Sequence, residues 1–305
     1  MVNVDFGLRQ RRRIMHDALR GIATMNQMER LSRGERPSVL HALTVDVEDW
    51  YHDGAGATLP RPDGRVERNT LRLLDILAAH DARATFFFLG DVAAGYPALV
   101  RRVLAAGHEV GSHGHAHRRA MQMTRREFRD DVARSLRAIE DAAGVPVLGY
   151  RAPYFSIKAD VRWPIEILAE LGLRYDASIL AIDRPPGLEL VCPRTPFRHP
   201  NGLWEVPVAV LQMLRFWHLP LASGIGLRLL PRRLFERTVR QFERDVGAGV
   251  FYLHPWEIDP ASPTAPGVGR WFIRAGRARM AARLETLLQS RRFGAVTQVF
   301  EAVRH

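Results

Sequence analysis

The chain has 305 residues, of which 47% are hydrophobic and 25% charged, so its composition is that of an ordinary globular protein with one large α/β domain or two small ones. The formal charge of +11 would allow attraction to nucleic acid, anionic lipid or acidic glycan, but an Arg-rich composition often reflects genome bias alone, and we predict no nucleic-acid partner. The single cysteine, Cys192, excludes an internal disulfide bond.

Residues 1–38 show only weak helical periodicity and no catalytic motif, and we interpret them as a flexible N-terminal extension. Organised sequence begins at residue 39. The run over 39–47 is apolar and rich in β-branched residues, and it ends in acids, which predicts a buried strand with a functional end.

Strand-like and helix-like segments alternate from this point, which is typical of a parallel sheet or a β/α barrel. The predicted strands are 39–47, 84–89, 108–112, 147–151, 174–176, 204–207 and 250–254. The predicted helices are 69–80, 96–106, 125–143, 160–171 and 231–246, with a basic C-terminal helix over 273–290. We predict a barrel over 39–260 and a C-terminal extension over 261–305 that packs on it.

Polar residues follow four of the predicted strands directly. They are the acids of 46–49, His113, Arg151 and His254. In β/α barrels, catalytic groups gather at the C-terminal ends of the strands. We therefore expect these side chains to share one site.

His113 and His117 are four residues apart, so a helical turn would place both imidazoles on one face, where they can share a metal ion. Taken alone, the cluster also fits an accidental His-rich turn. His115 lies between them on the opposite side, which favours a solvated or supporting role. A catalytic zinc site needs a third hard ligand and an open position for water.

The acids at the end of the first strand offer that third ligand. On an extended strand Asp46 and Glu48 point the same way and Asp49 the other, so one acid can bind metal while its neighbour acts as a base. Alternation favours Glu48 as the ligand. A bulge at the strand end would bring Asp49 inward instead.

Five motifs, TVDVED, SHGHAH, RAPY, YDAS and YLHPWE, occur in this order along the chain. In these motifs the chain resembles the NodB-homology polysaccharide deacetylases, carbohydrate esterase family 4, over roughly residues 38–260. Its C-terminal part resembles the subgroup associated with exosortase and exopolysaccharide loci. The resemblance implies an α/β fold, a deformed (β/α)7-8 barrel.

The resemblance also implies a role for each matching residue. Asp46 would be the general base and Arg151 the group that orients it, with His254 as general acid and Asp176 holding its imidazole. The metal ligands would be His113 and His117 with Glu48 or Asp49. Tyr154 would offer its backbone N–H to the oxyanion, and the expected substrate-binding residues are Pro153, Tyr154 and Trp256.

These roles describe a metal-dependent hydrolase that removes N-acetyl groups from amino-sugar units of a bacterial polysaccharide, an exopolysaccharide or its lipid-linked precursor. Zinc is the preferred divalent metal, with cobalt as an alternative. One rival is an amidohydrolase of the same fold acting on a small cyclic amide or a formyl-amino sugar. A second rival is a carbohydrate-binding protein without turnover.

No apolar run is long enough to cross a bilayer, and no signal-peptide segment follows the basic residues 9–13. We therefore expect a cytoplasmic protein. The apolar stretch 208–230 fits a core segment or a lid over the site. With the basic charge, it also fits a peripheral contact with the inner face of a membrane.

Overall fold

The computed structural model describes residues 39–52, 64–158, 160–180, 193–214, 217–219, 223–263 and 274–301. The predicted N-terminal extension, 1–38, lies outside these ranges, as does the start of the predicted C-terminal helix. No helix among the described residues is long and apolar enough to span a membrane.

The first strand, β1, runs over Leu40–Val47, and residues 41–47 are buried throughout. Such a continuous buried run is expected where both faces of a sheet are covered. Leu43, Val45 and Val47 belong to the main core between the sheet and the helices. Ala42 belongs to a second cluster on the opposite face. The next inward positions are therefore Thr44, Asp46 and Glu48.

Ten further strands follow β1 in the described residues. They are β2 (Thr85–Phe88), β3 (Glu109–Ser112), β4 (Gly149–Tyr150), β5 (Tyr175–Asp176), β6 (Phe197–Arg198), β7 (Trp204–Glu205), β8 (Leu211–Leu214), β9 (Trp217–Leu219), β10 (Val250–Leu253) and β11 (Arg292–Gly294). The main sheet is nine-stranded in the order β10-β1-β2-β3-β4-β5-β7-β6, with β11 also paired to β1. Its pairs are parallel except β6–β7, and β8 and β9 form a separate hairpin.

The helices cover the outer face of the sheet. They are α1 (Arg65–Ala79), α2 (Gly90–Gly95), α3 (Pro97–Ala105), α4 (Arg125–Ala143), α5 (Trp163–Glu170), α6 (Gly224–Leu229), α7 (Arg232–Asp245), α8 (Arg277–Ser290) and α9 (Val296–Val299). Helix α4 begins with a capping box in which Thr124 and Glu127 bond each other's backbone N–H. Its apolar side, including Phe128 and Ile139, is buried in the main core.

The sheet is strongly curled. Past β7 the backbone N–H of Val208 bonds the carbonyl of Ile179, and the N–H of Ala209 bonds the carbonyl of Val250 in β10. The far side of the sheet thereby approaches its first edge, and the result is a half-barrel. The predicted α/β fold with a deformed parallel barrel is confirmed.

Several elements were not predicted from the sequence. The apolar pattern of the sequence did not predict α2, the β8–β9 hairpin or the last strand, β11. Strand β11 belongs to the predicted C-terminal extension and joins the main sheet beside β1. Helix α2 and strands β8, β9 and β11 are only three to six residues long, so their apolar periodicity is weak. The predicted C-terminal helix corresponds to α8 over Arg277–Ser290, and its predicted start at 273 lies outside the described residues.

Candidate functional site

The acids at the end of β1 and just after it divide between two sides of the sheet. Asp46 and Glu48 are on the inner side, and both are buried. Asp49 is also buried, but it faces the start of α1, where Arg65 and the backbone N–H of Val66 act on its carboxyl, and its Oδ1 accepts a hydrogen bond from the N–H of Trp50 at 2.8 Å. Burial raises the pKa of Asp49 to about 6, against the opposing effects of the Trp50 N–H and Arg65.

Glu48, His113 and His117 form a buried group whose ligand atoms lie within 4.8 Å of one another. Glu48 Oε2 is 2.5 Å from Nε2 of His117 and 3.7 Å from Nε2 of His113. The Nδ1 atoms bond backbone carbonyls, that of Arg151 at 2.9 Å for His113 and that of His52 at 2.7 Å for His117. These bonds leave both Nε2 atoms free to face the carboxylate. Asp49 is not a member of the group.

A divalent cation suits this group. Glu48 Oε2 is buried and accepts no well-formed hydrogen bond, although His117 Nε2 is so close. Burial acts to raise the pKa of Glu48, but His117 and His113 hold it well below its ordinary value. Burial lowers the pKa of His117, and Glu48 more than offsets this, so that it is raised. One carboxylate with two imidazoles is a donor set typical of catalytic zinc.

Asp46 is held by a buried arginine. Arg151 donates from Nη1 to Asp46 Oδ1 at 2.9 Å and to Thr44 Oγ1 at 2.6 Å, and from Nε to the carbonyl of Ala177 at 3.0 Å. Its guanidinium also lies over the Phe87 ring, 4.5 Å from the centroid. The side chain of Arg151 is 0% exposed and that of Asp46 is 2% exposed, so the pair is sheltered from water.

His254 stands at the end of β10 on the other side of the group. Its Nε2 lies 3.6 Å from Glu48 Oε1, and its Nδ1 lies 3.1 Å from Glu257 Oε2. Burial acts to lower the pKa of His254, but the bond to Glu257 and the charge of Glu48 raise it to about 9. Sequence reasoning missed Glu257. The signal was its spacing of three residues after His254 at a turn.

Asp176 does not reach His254 as predicted. Its Oδ1 accepts a 2.5 Å hydrogen bond from Ser178 Oγ, which itself accepts one from the N–H of Ala152. Burial and the neighbouring Glu205 raise the pKa of Asp176 well above its usual range. Burial also raises the pKa of Glu205 to about 8. Asp176 therefore supports the loop after β4, through Ser178, instead of the imidazole, and Glu205 accepts a hydrogen bond from the N–H of Ile179.

The loop after β4 contains strained backbone close to the group formed by Glu48, His113 and His117. Tyr154 and Phe155 have φ values of 57° and 50°, and His117 has φ 53°. Non-glycine residues rarely adopt such values, and they concentrate at functional sites. The Tyr154 ring packs 4.5 Å from that of His117, and its hydroxyl donates to the carbonyl of His52 at 3.2 Å. Pro153, just before it, is buried.

Trp256 was expected to form a wall for substrate, but only 7% of it is exposed. Its ring stacks on His254 at 4.9 Å, and its Nε1 donates to Glu48 Oε1 at 3.4 Å. The Trp256 side chain thus packs against His254 and Glu48 and does not form an exposed wall of the site. His115 lies outside the group, and its backbone N–H donates to Asp131 Oδ2 at 2.8 Å.

The polysaccharide deacetylase family profile matches residues 47–175, which include Glu48, His113, His117, Arg151 and Tyr154. This stretch is a polysaccharide deacetylase domain. Residues 177–301 match a second family, the domain of unknown function DUF3473. The chain is therefore a polysaccharide deacetylase domain with a C-terminal DUF3473 extension. The predicted boundaries 39–260 and 261–305 stay predictions.

Curated relatives of the deacetylase domain include a peptidoglycan deacetylase of Helicobacter pylori, 30% identical over 155 residues, or 48% of this chain and 52% of the relative. A chitooligosaccharide deacetylase of Bradyrhizobium is 39% identical over 145 residues, or 42% of this chain and 66% of the relative. The chain thus matches about half of the first relative's length.

Solved structures share the fold. A Mycobacterium smegmatis protein assigned as a polysaccharide deacetylase aligns over 88% of this chain and 92% of its own, with TM-score 0.59 and 22% identity. A family 4 pseudoenzyme of Bacillus anthracis aligns over 86% of this chain and 65% of its own, with TM-score 0.50 and 16% identity. Because one of these neighbours is a pseudoenzyme, the shared fold does not by itself show activity, and the function has to be argued from the site residues.

Proposed function

We propose that this deacetylase domain is an active metal-dependent hydrolase that removes N-acetyl groups from amino-sugar units of a bacterial polysaccharide. The observation that carries the proposal is the buried Glu48, His113 and His117 group between the Asp46–Arg151 pair and His254. A base, an acid and a metal-type donor set around one point are the groups that amide hydrolysis requires.

We assign Glu48, His113 and His117 as the ligands of a divalent metal, with zinc preferred and cobalt an alternative. When bound, such a cation polarises the amide carbonyl and lowers the pKa of water. The two backbone bonds at Nδ1 of the histidines set the tautomer in which Nε2 offers its lone pair. Asp49, turned toward α1, is not assigned as a ligand.

Asp46 is the proposed general base. Its carboxylate takes a proton from the water that attacks the acetamide carbonyl carbon. The hydrogen bond from Arg151 Nη1 orients this carboxylate. Because Arg151 also bonds the Thr44 hydroxyl and the carbonyl of Ala177, it stays in place while Asp46 changes protonation state.

His254 is the proposed general acid. It donates the Nε2 proton to the nitrogen of the amino sugar as the carbon–nitrogen bond breaks, because an amine leaves poorly unless it is protonated. A positioned acid of this kind contributes about 10²–10⁴-fold in rate. The backbone N–H of Tyr154, on the loop with positive φ, is the proposed donor to the oxyanion.

For the substrate we propose an exopolysaccharide or its lipid-linked precursor, in line with the resemblance of the C-terminal part to the exosortase-associated subgroup. The names of the relatives, which act on peptidoglycan and chitooligosaccharides, support an N-acetylated glycan. We further propose a cytoplasmic location with a peripheral contact at the membrane. Flotation with vesicles that contain anionic lipid at low salt tests this contact, and protein that stays unbound would refute it.

The decisive experiment measures acetate released from exopolysaccharide precursors, chitin oligomers and peptidoglycan fragments, with and without a chelator. We expect release that stops on chelation and returns with added zinc. Formate release or ring opening would favour an amidohydrolase of the same fold. Glycan binding without acetate release from any substrate would show a binding protein.

A further inference from the structure

A buried ion pair of the C-terminal half stands behind His254. Glu257 is 1% exposed and Arg228 is 2% exposed. Glu257 Oε2 accepts hydrogen bonds from the backbone N–H of His254 at 3.0 Å and from its Nδ1 at 3.1 Å. Glu257 Oε1 accepts one from Arg228 Nε at 3.0 Å. Oε2 of Glu257 thus binds His254, whereas Oε1 binds Arg228.

The surroundings hold Glu257 in one place. Arg228, on α6, also donates from Nη1 to the carbonyl of Ala275, just before α8, at 2.8 Å. Helix α6 begins at Gly224, where a Cβ atom would lie 2.0 Å from Glu257 Oε2. Only a residue without a Cβ therefore allows the helix to approach the carboxylate this closely. All of these groups belong to residues 177–301.

The other side of the His254 imidazole is fixed as well. Its ring stacks on Trp256 with an interplanar angle of 15°, and the guanidinium of Arg277 lies over the Trp256 ring at 4.9 Å. With Nδ1 bonded to Glu257 and the ring face covered, the Nε2 edge is directed at Glu48, 3.6 Å away. The imidazole is therefore held on two sides and directed toward the site.

We propose that Glu257, held by Arg228, is the positioning residue of the general acid, and that the DUF3473 extension, residues 177–301, serves the reaction by supplying this pair. The proposal rests on the proposed function. Glu257 fixes the imidazole so that the Nε2 proton lies in line with the leaving nitrogen. It takes the place expected for Asp176, which bonds Ser178 instead.

The test compares two substrates that differ in their need for an acid. An N-acetylated chitin oligomer releases an amine that must be protonated, whereas 4-nitrophenyl acetate releases 4-nitrophenolate, which leaves without a proton. We expect Glu257→Gln and Arg228→Met to lower kcat for the oligomer about 10- to 100-fold, part of what a general acid contributes. KM, and the rate with 4-nitrophenyl acetate, should change less than about threefold.

Two variants calibrate this comparison. His254→Ala should show the same substrate dependence with a larger loss. Glu243→Gln removes an ion pair with Arg291 in the same extension, away from His254, and should leave both rates unchanged. Glu257→Gln preserves the size of the side chain, and circular dichroism melting confirms that each variant is folded.

Three results would overturn the assignment. If the wild type is active, equal losses with both substrates would show that Glu257 supports the fold only, and wild-type rates of the Glu257→Gln variant with the oligomer would show that it has no role; either result refutes the assignment alone. Wild-type protein that, after zinc loading, releases acetate from no glycan of the substrate panel and does not hydrolyse 4-nitrophenyl acetate would refute the proposed function and this assignment with it.

Discussion

Glu48 Oε2 lies 2.5 Å from Nε2 of His117, and both side chains are almost fully buried. The Nδ1 of His117 bonds the carbonyl of His52, so neutral His117 presents a lone pair to the carboxylate. Two lone pairs at this distance repel unless a cation or a proton lies between them. The close contact between Glu48 and His117 therefore favours the binding of a cation or a proton between them.

We first predict that the two acids at the end of β1 differ in metal binding. Glu48→Gln should weaken zinc affinity at least about a hundredfold, because a charged ligand is lost. Asp49→Asn should leave the affinity unchanged within about threefold, because Asp49 faces α1. Competition titration with a chromogenic chelator measures both constants. The opposite order would place Asp49 in the metal sphere.

Asp46→Asn should lower kcat about 10²–10⁴-fold and leave zinc bound, because the amide cannot accept the water proton. Metal content by mass spectrometry, measured beside acetate release, separates the two effects. An active Asp46→Asn protein would remove Asp46 from the role of base.

Arg151→Met should lower the free energy of unfolding by about 3–5 kcal/mol, because it leaves Asp46 buried without its partner. Denaturant unfolding of wild type and variant gives this difference. Arg125→Met, at an exposed ion pair with Glu166, is the matched control and should change stability by less than about 1 kcal/mol. Similar losses in the two variants would contradict the importance of burial.

Stability should fall with rising pH because of Glu205. Its folded pKa of about 8 lies above the ordinary value of 4.5, so the folded state binds the proton more tightly. This contribution is full below about pH 4.5 and is lost as pH rises toward 8. Glu205→Gln should flatten the fall in unfolding free energy between pH 5 and about 8.

The control for this pH series is Asp141→Asn, which changes an exposed carboxyl on α4 and should keep the wild-type slope. Unfolding free energies from urea titrations at several pH values supply the slopes. Parallel curves for wild type and Glu205→Gln would show that another group causes the dependence.

Much of the fold could be predicted because strand and helix periods are local. The predicted strand over 84–89 corresponds to Thr85–Phe88, and the predicted helix over 125–143 matches Arg125–Ala143. The hairpin of β8 and β9 and the strand β11 were missed. Strand β11 pairs with β1, which lies far away along the chain, whereas β8 and β9 are short strands that pair with each other. A local apolar pattern carries little information about either kind of pairing.

The sequence by itself determined the order of the motifs, the alternation that places Asp46 and Glu48 on one side of β1, and the spacing of His113 and His117. Only the tertiary structure decided which carboxylate stands behind His254. Asp176 lies in the motif YDAS and Glu257 in the motif YLHPWE, so the motifs alone do not distinguish the two carboxylates. Which carboxylate contacts His254 depends on the positions of the end of β5 and of the turn after β10. In the curled sheet, Glu257 bonds the imidazole and Asp176 bonds Ser178.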